Sequence, residues 1–214
     1  MSWVPEDNYQ SHAAAVEYDK VRFTSLSGRV FNFLEKRTIV KCFSCVTKGM
    51  TIVDIPCGTG RLAETLLHSG YRVHGMDISR EMLEVAKKRL QFAHLEFTCE
   101  IADAKNVAGE HATYGAALCA RVLMHFPLAG QIEFLSGVAA LSQSVVVINH
   151  SLDSTYQRLR RRLKRLLGHQ PSANFPITNR DIKTLLQASG LRETKRYRLL
   201  SPISEAIYIV AKKV

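Results

Sequence analysis

One segment in the first third of the chain has the residue types to hold a nucleoside. It reads Val53-Asp-Ile-Pro-Cys-Gly-Thr-Gly60. Gly58 and Gly60 let the backbone turn tightly and approach a ligand with no Cβ in the way. The helix that follows presents N–H groups without intrahelical partners. Seventeen residues after Gly60, a second apolar run ends in Met76-Asp77-Ile78. A carboxylate at the tip of that neighbouring strand sits where a ribose would lie and accepts its two hydroxyls. Each hydrogen bond to a charged group contributes roughly 1.5–3 kcal/mol. Asp103, after a third apolar run, is placed to meet an adenine amino group in the same crevice. Gly58, Gly60 and Ala63 also fit the G-x-G-x-x-A spacing of a dinucleotide site. Asp54 argues against that alternative, because it would repel a pyrophosphate and tolerate an ammonium group.

Further along, the polar residues suited to catalysis gather after the fourth and fifth apolar runs. His125 lies six residues past Cys119, on the loop at the carboxyl edge of the sheet where ligands bind. It is the best candidate for a general base, against the plainer reading of a histidine that packs or caps a helix start. Arg121 suits an acidic substrate group or a cofactor carboxylate. Asn149 and His150 are expected to face the same crevice or simply to end a strand. Cys119 reads as a small core residue. Cys42-Phe-Ser-Cys45 is a C-x-x-C with no second pair and no nearby histidine, so it reads as two helix thiols rather than a metal site.

These positions need a scaffold, and the order of elements supplies one. Short apolar strands are expected at 51–55, 71–76, 95–101, 114–119 and 144–149, with helices at 61–68, 79–90 and 128–141. Residues up to about 49 read as a helical cap. A helix from Thr178 closes at Ser189-Gly190, a C-terminal signal, and two strands follow at 193–200 and 206–211. Nearly all-apolar strands alternating with helices argue a parallel sheet covered on both faces. The final pair, joined without a helix, requires at least one antiparallel strand. The expectation is one α/β domain, doubly wound and Rossmann-like, over residues 50–214 behind the cap at 1–49. The composition, 46% hydrophobic and 22% charged, is that of a folded protein. No apolar run approaches the ~20 residues of a membrane span. The N-terminal Glu6, Asp7 and Asn8 do not resemble a signal peptide. Five cysteines, an odd number, suggest reduced thiols and a cytoplasmic setting.

Asp54-Ile-Pro-Cys-Gly-Thr-Gly60, Gly75-Met-Asp-Ile-Ser79, Ile101-Ala-Asp103 and Cys119-Ala-Arg-Val-Leu-Met-His125 resemble the successive motifs of class I S-adenosylmethionine-dependent methyltransferases, in the small bacterial-type, UbiE-like group. The resemblance covers about residues 50–150. It implies seven strands in the order 3-2-1-4-5-7-6, with the last-inserted strand antiparallel. It implies that Asp54, Pro56, Cys57, Gly58 and Gly60 form the loop against the methionine part of S-adenosyl-L-methionine. Asp77 would bind the ribose, Ile78 and Met82 would flank the adenine, and Asp103 and Ala104 would meet its edge. Cys119 and Arg121 would line the methyl-donor side, and Tyr18 and Arg22 resemble a pair that closes over the cofactor carboxylate. The N/D-P-P-Y/F motif of adenine or glutamine N-methylation is replaced by Cys119-Ala-Arg-Val122. The implied activity is methyl transfer to a small-molecule acceptor, anionic or lipid-linked among the options. The alternatives are a non-catalytic module that binds the same cofactor and a nicotinamide oxidoreductase. No metal is implied.

The net charge of +10 is localised. Residues 1–150 hold 15 basic and 15 acidic residues, whereas residues 151–200 hold 12 and 3. Within an insertion expected at about 151–177, the segment Tyr156–Leu167 carries six of these cations on a helical pattern with Leu159, Leu163, Leu166 and Leu167 on one face. Three readings are open. The leucines pack on the domain as a lid, the helix contacts an anionic membrane surface at the inner face of the membrane, or it contacts RNA. The last is disfavoured because few aromatics interleave with the charges.

Overall fold

The computed structural model describes residues 24–91, 96–107, 113–166, 168, 175–201 and 204–214. Tyr18, Arg22 and Leu167 lie outside the described residues.

Strand β1, Thr51–Asp54, is the pivot of the molecule. It pairs in parallel with β2 (Arg72–Asp77) on one side and with β4 (Tyr114–Cys119) on the other. Strand β3 (Phe97–Ile101) extends the sheet beyond β2, and β5 (Ser142–Ser151) extends it beyond β4. The chain then closes with β6 (Leu191–Arg198) and β7 (Ala206–Lys213), and β7 inserts antiparallel between β5 and β6. The order is β3-β2-β1-β4-β5-β7-β6. This is the expected topology, with its antiparallel strand.

Alternation along each strand makes two cores. Ile52, Ala116, Leu118, Val145 and Val147 face one way, with Tyr208 and Val210 of β7. They pack against α1 (Leu26–Cys42) through Ile39 and Cys42, and against α2 (Arg61–Leu67) through Leu62 and Leu66. Val53, Ala117, Cys119, Val146 and Ile148 face the other way. They meet α4 (Leu128–Leu141) through Leu135 and Val138, and α6 (Asn179–Ala188) through Ile182 and Leu185. Helix α3 (Arg80–Leu90) starts where the Ser79 hydroxyl accepts the Met82 N–H at 3.2 Å, and it buries Met82, Leu83, Ala86 and Leu90. Such a cap is worth about 1 kcal/mol. Helix α6 starts the same way, with Thr178 accepting the Asp181 N–H.

Several boundaries differ from expectation: β6 runs two residues earlier, Leu191–Arg198 rather than 193–200, and β7 runs on to Lys213. Strand β5 runs to Ser151 rather than Asn149 because β7 continues the ladder to the pair Ser151–Ala206. The N-terminal helix stops at Cys42, and a 3-10 turn over Phe43–Cys45 follows it. Between β5 and α6 lies α5, Thr155–Leu166.

Candidate functional site

The carboxyl ends of β1, β2 and β4 open into a cleft of about 1170 Å³, including the solvent at its mouth. This is the switch point of the sheet, where α/β folds place ligands. Asp54, Pro56, Cys57, Gly58, Asp77, Ile78, Met82, Asp103, Ala104, Arg121 and His125 all line it. Gly58 and Gly60 have φ values of +53° and +74°, in the left-handed region that favours glycine.

Asp77 holds the loop in shape. One carboxylate oxygen accepts the Gly58 N–H at 2.8 Å, and the other accepts the Ser79 N–H at 2.9 Å. Burial still raises its pKa, against the pull of these N–H groups. Asp54 is in a harder position. It is buried, its Oδ2 has no hydrogen-bond partner among the described residues, and burial with the nearby Asp77 charge pushes its pKa well up. Two buried carboxyls facing one cleft, one with an orphaned oxygen, form a site that a cationic group would relieve. Asp103 turns its carboxylate onto its own loop, accepting the Lys105 N–H at 3.0 Å.

Two expected cofactor contacts do not reach the cleft. Cys119 is fully buried on the α4 side of β4, where burial raises its thiol pKa, so Ala120, Arg121 and Val122 form that wall instead. Gly60 caps α2 and backs onto α3. A Cβ there would lie 3.1 Å from the Ala86 Cβ, so the residue sets the approach of two helices behind the loop. Asn149 and His150 also fail to line the cleft. Asn149 donates to the Ile207 carbonyl. The His150 Nδ1 accepts the Ser151 N–H at 2.9 Å, and its Nε2 meets the Gln131 Oε1 at 3.0 Å. Gln131 in turn donates to the Phe126 carbonyl at 2.8 Å. His150 thus supports the turn Leu123–His125 from behind. Burial, aided by the charge of His125, lowers its pKa to about 4, so it is neutral near pH 7.

Arg121 is already committed. Its Nε and Nη2 donate to Glu35 at 3.0 and 2.7 Å, and Arg61 donates to the same carboxylate at 2.6 Å. The Tyr208 hydroxyl donates to it as well. Arg121 has a φ of +65°, a left-handed conformation costly for a residue with a Cβ. The fork onto Glu35 holds it there. Glu35 is fully buried on α1. Although burial opposes ionisation, Arg121 and Arg61 outweigh it and hold the carboxyl below its ordinary range. One carboxylate thus ties together two cleft-lining guanidiniums. Sequence reasoning missed Glu35 and Tyr208. The trace was there, since Phe31, Glu35 and Ile39 recur every four residues and place an acid on an apolar face.

Residues 52–144 match the Methyltransferase domain family. The chain is 32% identical to the ubiquinone biosynthesis O-methyltransferase of Vibrio campbellii over 111 residues, covering 51% of this chain and 45% of that protein. It is 26% identical to the chloroplastic magnesium protoporphyrin IX methyltransferase of Arabidopsis thaliana over 154 residues, covering 69% and 48%. The matched regions span less than half of these curated relatives. Among solved structures, the magnesium protoporphyrin IX methyltransferase of Synechocystis PCC 6803 with bound S-adenosylhomocysteine superposes with a TM-score of 0.79 at 19% identity, covering 97% of each chain. The chain has the class I methyltransferase fold, and its residues 52–144 are similar to the Methyltransferase domain family.

Proposed function

We propose that this chain is an enzyme that transfers the methyl group of S-adenosylmethionine to a small-molecule acceptor. The observation that carries the reading is the cleft at the β1/β4 switch point, where Asp77 closes the Gly58 loop beside the orphaned oxygen of Asp54. A ligand with a cationic end and a ribose answers both carboxyls, whereas a pyrophosphate answers neither. Asp77 would take the ribose, Ile78, Met82, Asp103 and Ala104 the adenine, and Asp54 the ammonium group. When bound, S-adenosylmethionine supplies a methyl group already activated on a sulfonium. The chain has to hold the acceptor in line, exclude water and remove the acceptor's proton. Alignment alone lowers the barrier by several kcal/mol. His125, half-buried on the cleft wall, is the group placed to take the proton.

The acceptor we favour is anionic or lipid-linked. Relatives named for ubiquinone biosynthesis and magnesium protoporphyrin IX are compatible with this class. On this reading the protein works in the cytoplasm, peripheral to the inner face of the membrane, and its five free thiols support that compartment.

The test is calorimetric titration with S-adenosylmethionine and, separately, NADH, followed by a methyl-transfer screen against anionic and lipid-like acceptors. Micromolar binding of the first alone, with transfer, is expected. Binding of NADH alone would overturn the assignment. Tight cofactor binding without transfer to any acceptor class would make the chain a non-catalytic binding module.

A further inference from the structure

Helix α5 is mounted with its apolar face outward. At about 100° per residue, Tyr156, Leu159, Leu163 and Leu166 fall within an arc of about 80°, and Gln157 lies about 140° from its middle. Gln157 is the buried residue, at 3% exposure. Leu159 and Leu163 are 58% and 54% exposed, Leu166 is 83% exposed and Tyr156 is 50% exposed. A lid that packed its leucines on the domain would show the reverse. Beneath the helix lies a cavity of about 140 Å³ with a mixed lining, Leu152, Tyr156 and Gln157 on one side and Arg198, Glu205 and Ile207 of the β6–β7 end on the other. The apolar stripe is bordered by Arg158 and Arg162 on one side and by Arg160 on the other, and α5 contains no acidic residue.

We propose that α5 is an interfacial anchor and that its partner is an anionic lipid bilayer. An outward leucine stripe with cations on both flanks has the geometry of a helix lying in the headgroup plane, leucines towards the acyl chains and guanidiniums at the phosphates. Charge complementarity selects the bilayer from other apolar partners: Asp153 lies 3.8 Å from Arg158, but six cations in twelve residues still leave a positive excess that a dense anionic surface matches. The stripe selects it over a nucleic acid, which would leave four apolar side chains unburied. The contact also bears on the cleft. After α5 the chain returns to the site, where the Phe175 N–H donates to the Met124 carbonyl at 2.9 Å and Leu152 bridges Ile177. Met124 belongs to the turn that carries His125. The anchor and the acceptor side of the cleft are therefore stitched together, so a membrane-bound enzyme would present this wall to the lipid phase.

The inference does not depend on methyl transfer. Its test is flotation of the full chain with phosphatidylcholine vesicles lacking or containing phosphatidylglycerol, with cofactor affinity measured on the same preparation. Binding is expected only with the anionic lipid. It should fall as salt rises from about 0.1 M to 1 M, where the screening length drops from about 10 to 3 Å. A basic residue near such a surface is worth about 1 kcal/mol, or about five-fold. Arg158→Gln with Arg162→Gln should therefore weaken binding about 30-fold. Leu159→Glu with Leu163→Glu should abolish it at unchanged cofactor affinity, and Leu166→Glu, at the most exposed position, is the milder check. Absence of binding to anionic vesicles at low salt would overturn the proposal, as would full binding by the leucine variants. A wild-type dimer that the leucine variants dissolve, without vesicle binding, would assign the stripe to a second copy of the chain. Binding of an RNA oligonucleotide but not vesicles would assign the charges to nucleic acid.

Discussion

Replacing Glu35 by alanine tests whether the cleft is held together by its N-terminal helix. The side chain is fully buried and accepts from Arg61, from both ends of the Arg121 fork and from Tyr208. Its removal takes the shared carboxylate from two guanidiniums and the acceptor from a buried hydroxyl. Breaking a buried ion pair by deleting one partner costs about 3–5 kcal/mol. In a domain of this size each kcal/mol lowers the melting temperature by about 2–4 °C, so a fall of roughly 10 °C is expected. Arg121 also loses the fork that keeps it left-handed, so the wall between Ala120 and Val122 should relax and cofactor affinity should fall with stability. The pH dependence carries a separate sign. The folded pKa of Glu35 lies below its unfolded value, so its contribution is full above the unfolded pKa and is lost as pH falls through the folded one. Wild type should therefore lose stability in acid that Glu35→Gln, already lacking the charge, does not lose. Urea unfolding across pH 3–7 (about the carboxylate range) measures both effects. A Glu35→Ala protein that melts within about a degree of wild type would refute the reasoning, because the buried carboxylate would then be dispensable.

Other consequences are equally direct. Asp77→Ala removes two loop hydrogen bonds and the proposed ribose acceptor, so cofactor affinity should fall at least about 100-fold by calorimetry, taking 1.5–3 kcal/mol per charged bond. His125→Ala should lower turnover about 100-fold while leaving cofactor affinity near wild type, and unchanged turnover would remove it as the base. Gly137→Ala, in the middle of α4, should destabilise by about 2 kcal/mol, although alanine is ordinarily the better helix former by about 1 kcal/mol. The reason is that its Cβ would lie 1.8 Å from the Ala104 carbonyl oxygen, and a more stable variant in thermal melts would contradict that packing. His150, with a folded pKa of about 4 against an ordinary 6.5, stays neutral while the unfolded chain takes up a proton. Stability should thus fall by about 3 kcal/mol as pH drops from 6.5 to 4, and His150→Gln should flatten that part of the profile.

The sequence was most legible where function depends on consecutive residues. The loop from Asp54 to Gly60 and the strand end at Asp77 announce themselves, because glycine and acid at fixed offsets have few other uses. The strand order came with the resemblance to the methyltransferase motifs, and the helix-free connection before β7 called for an antiparallel strand. What stayed hidden was set by distant parts of the chain. Arg121 looked like a ligand-binding arginine because its partner, Glu35, lies 86 residues upstream. His150 looked like a strand-end polar group because its partner Gln131 sits within an apolar helix. Cys119 was placed on the cleft although strand alternation turns it into the α4 core with Ala117. Helical periodicity grouped the leucines of α5 correctly, but it could not say which face of that helix meets the domain.

The two walls of the cleft are built on different principles, and their expected behaviour differs accordingly. The cofactor side is a loop tied by Asp77 to backbone N–H groups within a short span of chain. The acceptor side is assembled from remote pieces: the α1 carboxylate, the β4 arginine, the His150–Gln131–Phe126 chain and the return of the α5 insertion at Phe175. Each piece is coupled to a different surface of the molecule. On the proposed function, the seating of α1 and of the α5 insertion would bear on which acceptor fits. The outward leucines of α5 give one of those seats a contact outside the protein.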